Sequence, residues 1–141
     1  MMTEDRKESD VFPFFTEIGI IEQLTRAIFE EHLPDGFLVS HFAVVNSLVR
    51  VRDGRTPLEL ARAFQVPKTT MTHTLSGLEK HGLIEMRPNP KDGRSKQVWL
   101  TETGSIFREN AIKGLIPAFS EFAETFPPDV VAGMVPMLAE M

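Results

Sequence analysis

Between Thr56 and Leu100 the hydrophobic period of this chain changes from that of a helix to that of a strand, and a turn of only a few residues precedes the change. Thr56, Pro57 and Glu59 make a helix start: the threonine oxygen can accept from a free backbone N–H, proline is preset for the first turn, and the glutamate reaches back. Leu58, Leu60, Ala61 and Phe64 carry a short helix to Gln65, Val66 and Pro67, where the chain turns into a further helix ending near Gly82. From Leu83 the apolar period is two, with Ile84 and Met86 before a polar stretch and Val98 and Leu100 after it, which predicts a hairpin. Two helices joined this tightly and followed by a hairpin predict a winged helix-turn-helix lobe over residues 36–101.

The flanks read as helices. Phe14, Ile18, Ile21, Leu24 and Ile28 recur at spacings of three and four behind a charged leader, and Pro34, Asp35 and Gly36 end the run. A second apolar segment from Phe37 to Val51 is stopped by Asp53 and Gly54. After Thr101, a helix cap, Ile112, Leu115, Ile116, Phe119, Phe122 and Phe126 predict a long C-terminal helix kinked at Pro117. Pro127 and Pro128 open a last amphipathic segment. The expected fold class is therefore mainly α with a small β-hairpin wing, one domain over 1–141, with dimerisation helices at 11–35 and 102–141. Apolar faces at both ends exceed what so small a lobe can cover, so a homodimer is expected.

Total charge misleads here. The chain carries a net charge of −5, yet the stretch from Arg52 to Leu100 holds nine basic residues against five acidic, and the remainder six against fifteen. Phosphate attraction depends on where charge sits, so a basic middle between acidic ends suits a nucleic-acid binder. With no cysteine, disulfides, thiol sensing and cysteine zinc sites are excluded. No apolar run is long enough to span a bilayer and the N-terminus has no signal-peptide pattern, so a cytoplasmic protein is expected.

At 100° per residue, Met71, Leu75 and Leu78 form the inward stripe of the helix from Lys68 to His81. Opposite stand Thr69, His73, Ser76 and Lys80, flanked by Thr70 and Thr72, with Lys68 on the first turn. Short hydroxyls, an imidazole and cations can reach phosphates and base edges without bulk; the same face also fits a merely solvated helix. The hairpin turn adds Lys91, Asp92, Gly93, Arg94 and Lys96. Asp92 is placed to hold the Arg94 guanidinium, Gly93 to allow the tight backbone, and an arginine at the tip of a narrow ribbon can enter a minor groove.

The run from Val66 to Ile84, then Arg87 to Lys96, then Val98-Trp99-Leu100-Thr101 with Gly104, resembles the MarR family signature: a recognition helix ending in Leu-Glu and Gly-Leu, a wing with Asp-x-Arg, then Val-x-Leu-Thr and a glycine. The resemblance implies a dimer whose terminal helices interdigitate while two lobes straddle a pseudo-palindrome in double-stranded DNA. It makes Asp92 and Arg94 the wing pair and Lys68, Thr69, Thr70, Thr72 and His73 groove contacts, and it implies a transcriptional regulator, in most cases a repressor, released by a small amphipathic or phenolic effector. His73 departs from the arginine common in that family, which removes a bidentate guanine contact there.

Trp99 falls on the outer side of the hairpin and either packs on a neighbour or lines a pocket. His32 and His41, near Glu30, Glu31 and Asp35, match no metal-ligand spacing, and no cofactor motif occurs. No nucleophile with a base, phosphate-cradling loop or paired carboxylate points to an enzyme. A winged-helix module that contacts protein instead of DNA has the same fold, and the local positive charge argues against it.

Overall fold

The computed structural model describes residues 2–141 in backbone and side chains from Val11 onward; Met1 and the side chains of the charged leader lie outside the described residues. Six helices and one hairpin follow in the order α1 (Met2–His32), α2 (Val39–Arg50), α3 (Pro57–Ala63), α4 (Lys68–Lys80), β1 (Ile84–Pro88), β2 (Lys96–Leu100), α5 (Glu102–Thr125) and α6 (Pro128–Ala139). The fold class is the expected one. The first helix is longer than its apolar stripe, because the charged leader is free of glycine and proline and continues the helix. Among the described residues no helix is long and apolar enough to cross a membrane.

One core sits inside the lobe. Val44, Val45 and Leu48 of α2, Leu60 and Ala61 of α3, Met71, Leu75 and Leu78 of α4, and Leu83, Ile84 and Val98 of the hairpin are buried together. Each element thus supplies the face its period predicts. A second cluster of Leu33, Phe42 and Ala111, with Phe29, Phe37 and Phe107 against it, fastens the long helices to the lobe.

Local chemistry fixes how α3 and α4 meet. Thr56 Oγ1 accepts the Glu59 N–H at 3.2 Å while its hydroxyl donates to the Glu59 carboxylate at 3.3 Å, so the glutamate reaches the cap's side chain. Gln65 sits at φ 53°, left-handed for a residue with a side chain, and Val66 N–H donates to Ala61 C=O at 3.0 Å. That single turn sets the angle of α4. At the far end, Gly82 at φ 70° lets Leu83 N–H return to Leu78 C=O at 3.0 Å, closing the helix.

The hairpin is antiparallel, with Ile84 opposite Leu100 and Met86 opposite Val98. Arg55 adds an isolated bridge to Val98, giving the wing a third backbone segment that the period of two could not reveal. Asp53 supports the join, its Oδ1 accepting from Gly54 N at 3.0 Å and Leu100 N at 2.9 Å. Trp99 packs: a Cβ on Gly54 would lie 2.6 Å from its Cζ2, and the Arg87 guanidinium stacks 4.8 Å from its ring centre.

The terminal helices leave apolar side chains in water. Phe12, Phe15, Ile21 and Leu24 of α1, Phe122 of α5, and Val135 and Leu138 of α6 are exposed. None of them belongs to either buried cluster.

Candidate nucleic-acid interface

The solvent face of α4 is the one the helical period predicts. Lys68, Thr69, Thr70, Thr72, His73, Ser76 and Lys80 are exposed, while Met71, Leu75 and Leu78 are buried. Thr72 spends its hydroxyl proton on Lys68 C=O at 2.9 Å, which leaves its oxygen as an acceptor and pins its rotamer. Thr74 does the same to Thr70 C=O at 3.1 Å and is buried.

The wing is knitted by its short polar side chains. Asn89 Oδ1 accepts Lys91 N–H at 3.0 Å, Asn89 Nδ2 donates to Ser95 Oγ at 3.0 Å, and Asp92 Oδ1 accepts Arg94 N–H at 3.0 Å. Two expectations are corrected by this arrangement. Asp92 holds the backbone of Arg94, since a carboxylate two residues earlier reaches the amide of an Asx turn before it can reach the guanidinium. Gly93 has an ordinary φ and no neighbour within 4 Å, so the turn does not depend on its lack of a side chain. Lys91, Arg94 and Lys96 are all exposed, and none of them is in an ion pair among the described residues.

Helix and wing face one cleft. An opening of about 720 Å³ is lined by Lys68 at the start of α4, Arg62 on α3, and Arg94 and Lys96 on the wing, with Glu59 and Asp92 as its acidic groups. A smaller recess of about 190 Å³ brings Thr72 and Ser76 beside Lys96. Thr69, Thr70 and His73 lie on the exposed face of α4 and Lys91 at the wing tip, outside the lining of both. Arg62 was missed by the sequence reading, although its place on the outer face of α3 was available from the spacing that buries Leu60 and Ala61. Of the other cations of the lobe, Arg52 pairs with Glu59, Arg87 pairs with Glu85, Arg55 is buried, and Arg50 and Lys80 are exposed outside the cleft lining.

Behind the interface lies a histidine. His41 of α2 is buried, its Nδ1 accepts Leu38 N–H at 2.9 Å, and a Cβ on Gly77 of α4 would meet its Nε2 at 2.9 Å. Burial lowers its pKa below 6.5, and His81 and His73 lower it further. His32, by contrast, bonds Ile28 C=O at 2.8 Å through Nδ1. Among the described residues no group of three or more His, Cys, Asp or Glu is placed to hold a metal ion.

A short helix, a left-handed turn, a second helix with its polar face outward, and a hairpin pinned to the same core define a winged helix-turn-helix protein. A family model described as the MarR family matches residues 35–95. The chain is 28% identical over 107 residues to the HTH-type transcriptional repressor YetL of Bacillus subtilis (strain 168), a match covering 75% of this chain and 64% of that protein. The chain thus spans less than two thirds of that relative. Its fold is similar to that of wild-type apo MarR from E. coli, with a TM-score of 0.74 and 26% identity over 89% of this chain and 93% of that one. It is also similar to a mutant MarR from E. coli complexed with operator DNA, with a TM-score of 0.72 and 26% identity over 93% and 94% of the two chains. Over residues 35–95 the chain is thus similar to the MarR family.

Proposed function

We propose that this chain is a sequence-specific transcriptional regulator that binds double-stranded DNA as a homodimer and acts as a repressor. The observation that carries the reading is the shared cleft, in which Lys68 on α4 and Arg94 and Lys96 on the wing face one opening. Threonine and serine hydroxyls, His73 and the α4 cation suit the major groove, where donors and acceptors differ for every base pair. Arg94 at the tip of a ribbon suits the adjacent minor groove, most of all over A·T-rich sequence. Lys91 and Lys96 add phosphate contacts, which position the lobe without reading sequence. Ser76 and Asp92 shape the interface beside them. A structural relative solved with operator DNA supports the same reading.

The exposed apolar side chains of α1, α5 and α6 support the dimer, because large exposed apolar patches mark interaction sites in soluble proteins. Two lobes related by a twofold axis would read half-sites one helical turn apart, ~10 bp centre to centre. Release by a small amphipathic or phenolic effector rests on the family resemblance alone.

Retardation of mixed genomic duplex fragments in a gel, followed by selection from a random duplex pool, tests the reading. Recovery of a pseudo-palindromic sequence is the expected result. An absence of retardation at low salt would favour a winged-helix module whose partner is a protein.

A further inference from the structure

One titratable ring behind α4 takes no part in the cleft. His41 of α2 is 9% exposed and meets α4 at Gly77, where an added Cβ would lie 2.9 Å from its Nε2. Glycine within a helix is costly relative to alanine, and here it makes room for the imidazole. The ring is tied on its other side as well. Nδ1 accepts the Leu38 N–H at the start of α2, so a neutral ring carries its proton on Nε2, the atom that faces Gly77. Phe37 lies edge-on to His41 with ring centres 5.9 Å apart, and it also packs on His81 at the end of α4 and on Phe107 of α5. His41 is thus a wedge between the first turn of α2 and the back of α4.

His73, Gly77 and His81 recur every four residues, so one edge of α4 carries an imidazole on each side of the glycine. The groups that bear on His41 come from that edge. Burial, then His81, then His73 lower its pKa below 6.5, and among the described residues no carboxylate, lysine or arginine contributes to the shift or pairs with the ring. A second ring proton would have to sit on Nδ1, where the Leu38 N–H already points, and would put an uncompensated charge in a buried site. The charged ring cannot keep this seat.

We propose that His41 is a positioning residue for the DNA-facing helix: neutral, it seats α4 through Gly77, and taking up a proton displaces it, so that acid weakens duplex binding. Thr72 and His73 ride on α4 about one turn before Gly77, so a change of seat moves the groove contacts directly. This regulation rests on the regulator reading above. Affinity scales with the fraction of protein in the competent state, and a ring of pKa below 6.5 is at least about one-eleventh neutral at about pH 5.5. The loss due to His41 is therefore at most about tenfold for each lobe.

Anisotropy titrations of a selected duplex with wild type, His41→Asn and Gly77→Ala at about pH 7.5 and about pH 5.5 test the proposal, with circular dichroism counting folded protein at each pH. Because His73 is present in all three proteins, its own contact with phosphate cancels in the comparison. Wild type should lose several-fold more affinity on acidification than either variant. Gly77→Ala, whose methyl displaces the ring at any pH, should already bind several-fold more weakly than wild type at about pH 7.5. Should His41→Asn fail to fold, Gly77→Ala decides the matter, since it leaves His41 in the chain. An equal acid response in wild type and Gly77→Ala, undiminished binding by Gly77→Ala at about pH 7.5, or a loss that only tracks loss of folded protein would each overturn the proposal. Those outcomes leave the regulator reading standing, whereas no duplex binding by wild type at either pH overturns that reading and this coupling with it.

Discussion

The Asp92 carboxylate and the Arg94 amide lie 3.0 Å apart, so the acid holds the arginine's peptide and leaves its guanidinium free to face the cleft. This separates two effects that a salt bridge would have merged. Arg94→Ala removes a cation, and should weaken duplex binding while lowering the slope of log K against log salt by about one. Asp92→Asn keeps the acceptor and removes a charge that repels phosphate, so it should bind as tightly as wild type or tighter. Asp92→Ala loses the turn's anchor. Anisotropy titrations at several salt concentrations check all three, and equal weakening by Asn and Ala would show that the charge, not the turn, was what mattered.

Acid should loosen the packing of α2 against α4. His41 is held neutral by burial and by His81 and His73, so its folded pKa lies below the unfolded value near 6.5. The unfolded chain then takes up the proton first, and stability is full above 6.5 and falls as pH drops through and below that value. Protonation would also put a hydrogen on Nδ1, where Leu38 N–H now donates. Urea melts at about pH 7.5 and about pH 5.5 should show this loss, and His41→Asn, which keeps an acceptor near the same place, should reduce it. An identical loss in the variant would place the acid sensitivity elsewhere.

Two glycines of α5 predict opposite outcomes. A Cβ on Gly104 would lie 2.1 Å from the Leu83 carbonyl oxygen, which already accepts Thr101 N–H. Backbone cannot swing aside as a side chain can, and Gly104→Ala should destabilise by about 1–3 kcal/mol or more. Gly114 has nothing within 4 Å, so Gly114→Ala should stabilise by about 0.5–1 kcal/mol through helix propensity. Chemical denaturation of the two variants side by side measures the contrast.

The exposed stripe of α1 should govern assembly. Leu24 is 61% exposed in the single chain, so a glutamate there costs little within the subunit. Leu24→Glu should shift the mass measured by light scattering from dimer toward monomer and weaken duplex binding by losing one of two linked lobes. A variant of unchanged mass would remove this face from the dimer interface.

How much of this was legible in the sequence depended on whether a contact repeats. Met71, Leu75 and Leu78 were found because burial on a helix returns every three or four residues, and the exposed threonines opposite them came with the same count. The left-handed turn at Gln65 was marked by Pro67 and the break in period. The pairing of Arg55 with Val98 leaves no periodic trace, since it is one bridge between residues far apart in the chain, and the burial of Arg55 went unseen with it. At the wing, residue types announced a polar turn, but which atom of Arg94 the Asp92 carboxylate meets is decided by backbone dihedrals. Arg62 was overlooked because only the folded wing reveals that α3 borders the same cleft.

Dimethyl sulfate footprinting on a duplex selected by the protein tests the central claim most directly, because the reagent reports guanine N7 in the major groove and adenine N3 in the minor groove. Facing α4 and wing predict protection of both atoms in adjacent grooves on one side of the duplex, with adenine protection lost in Arg94→Ala and guanine protection retained. Protection confined to one groove, or the same pattern with and without Arg94, would contradict it.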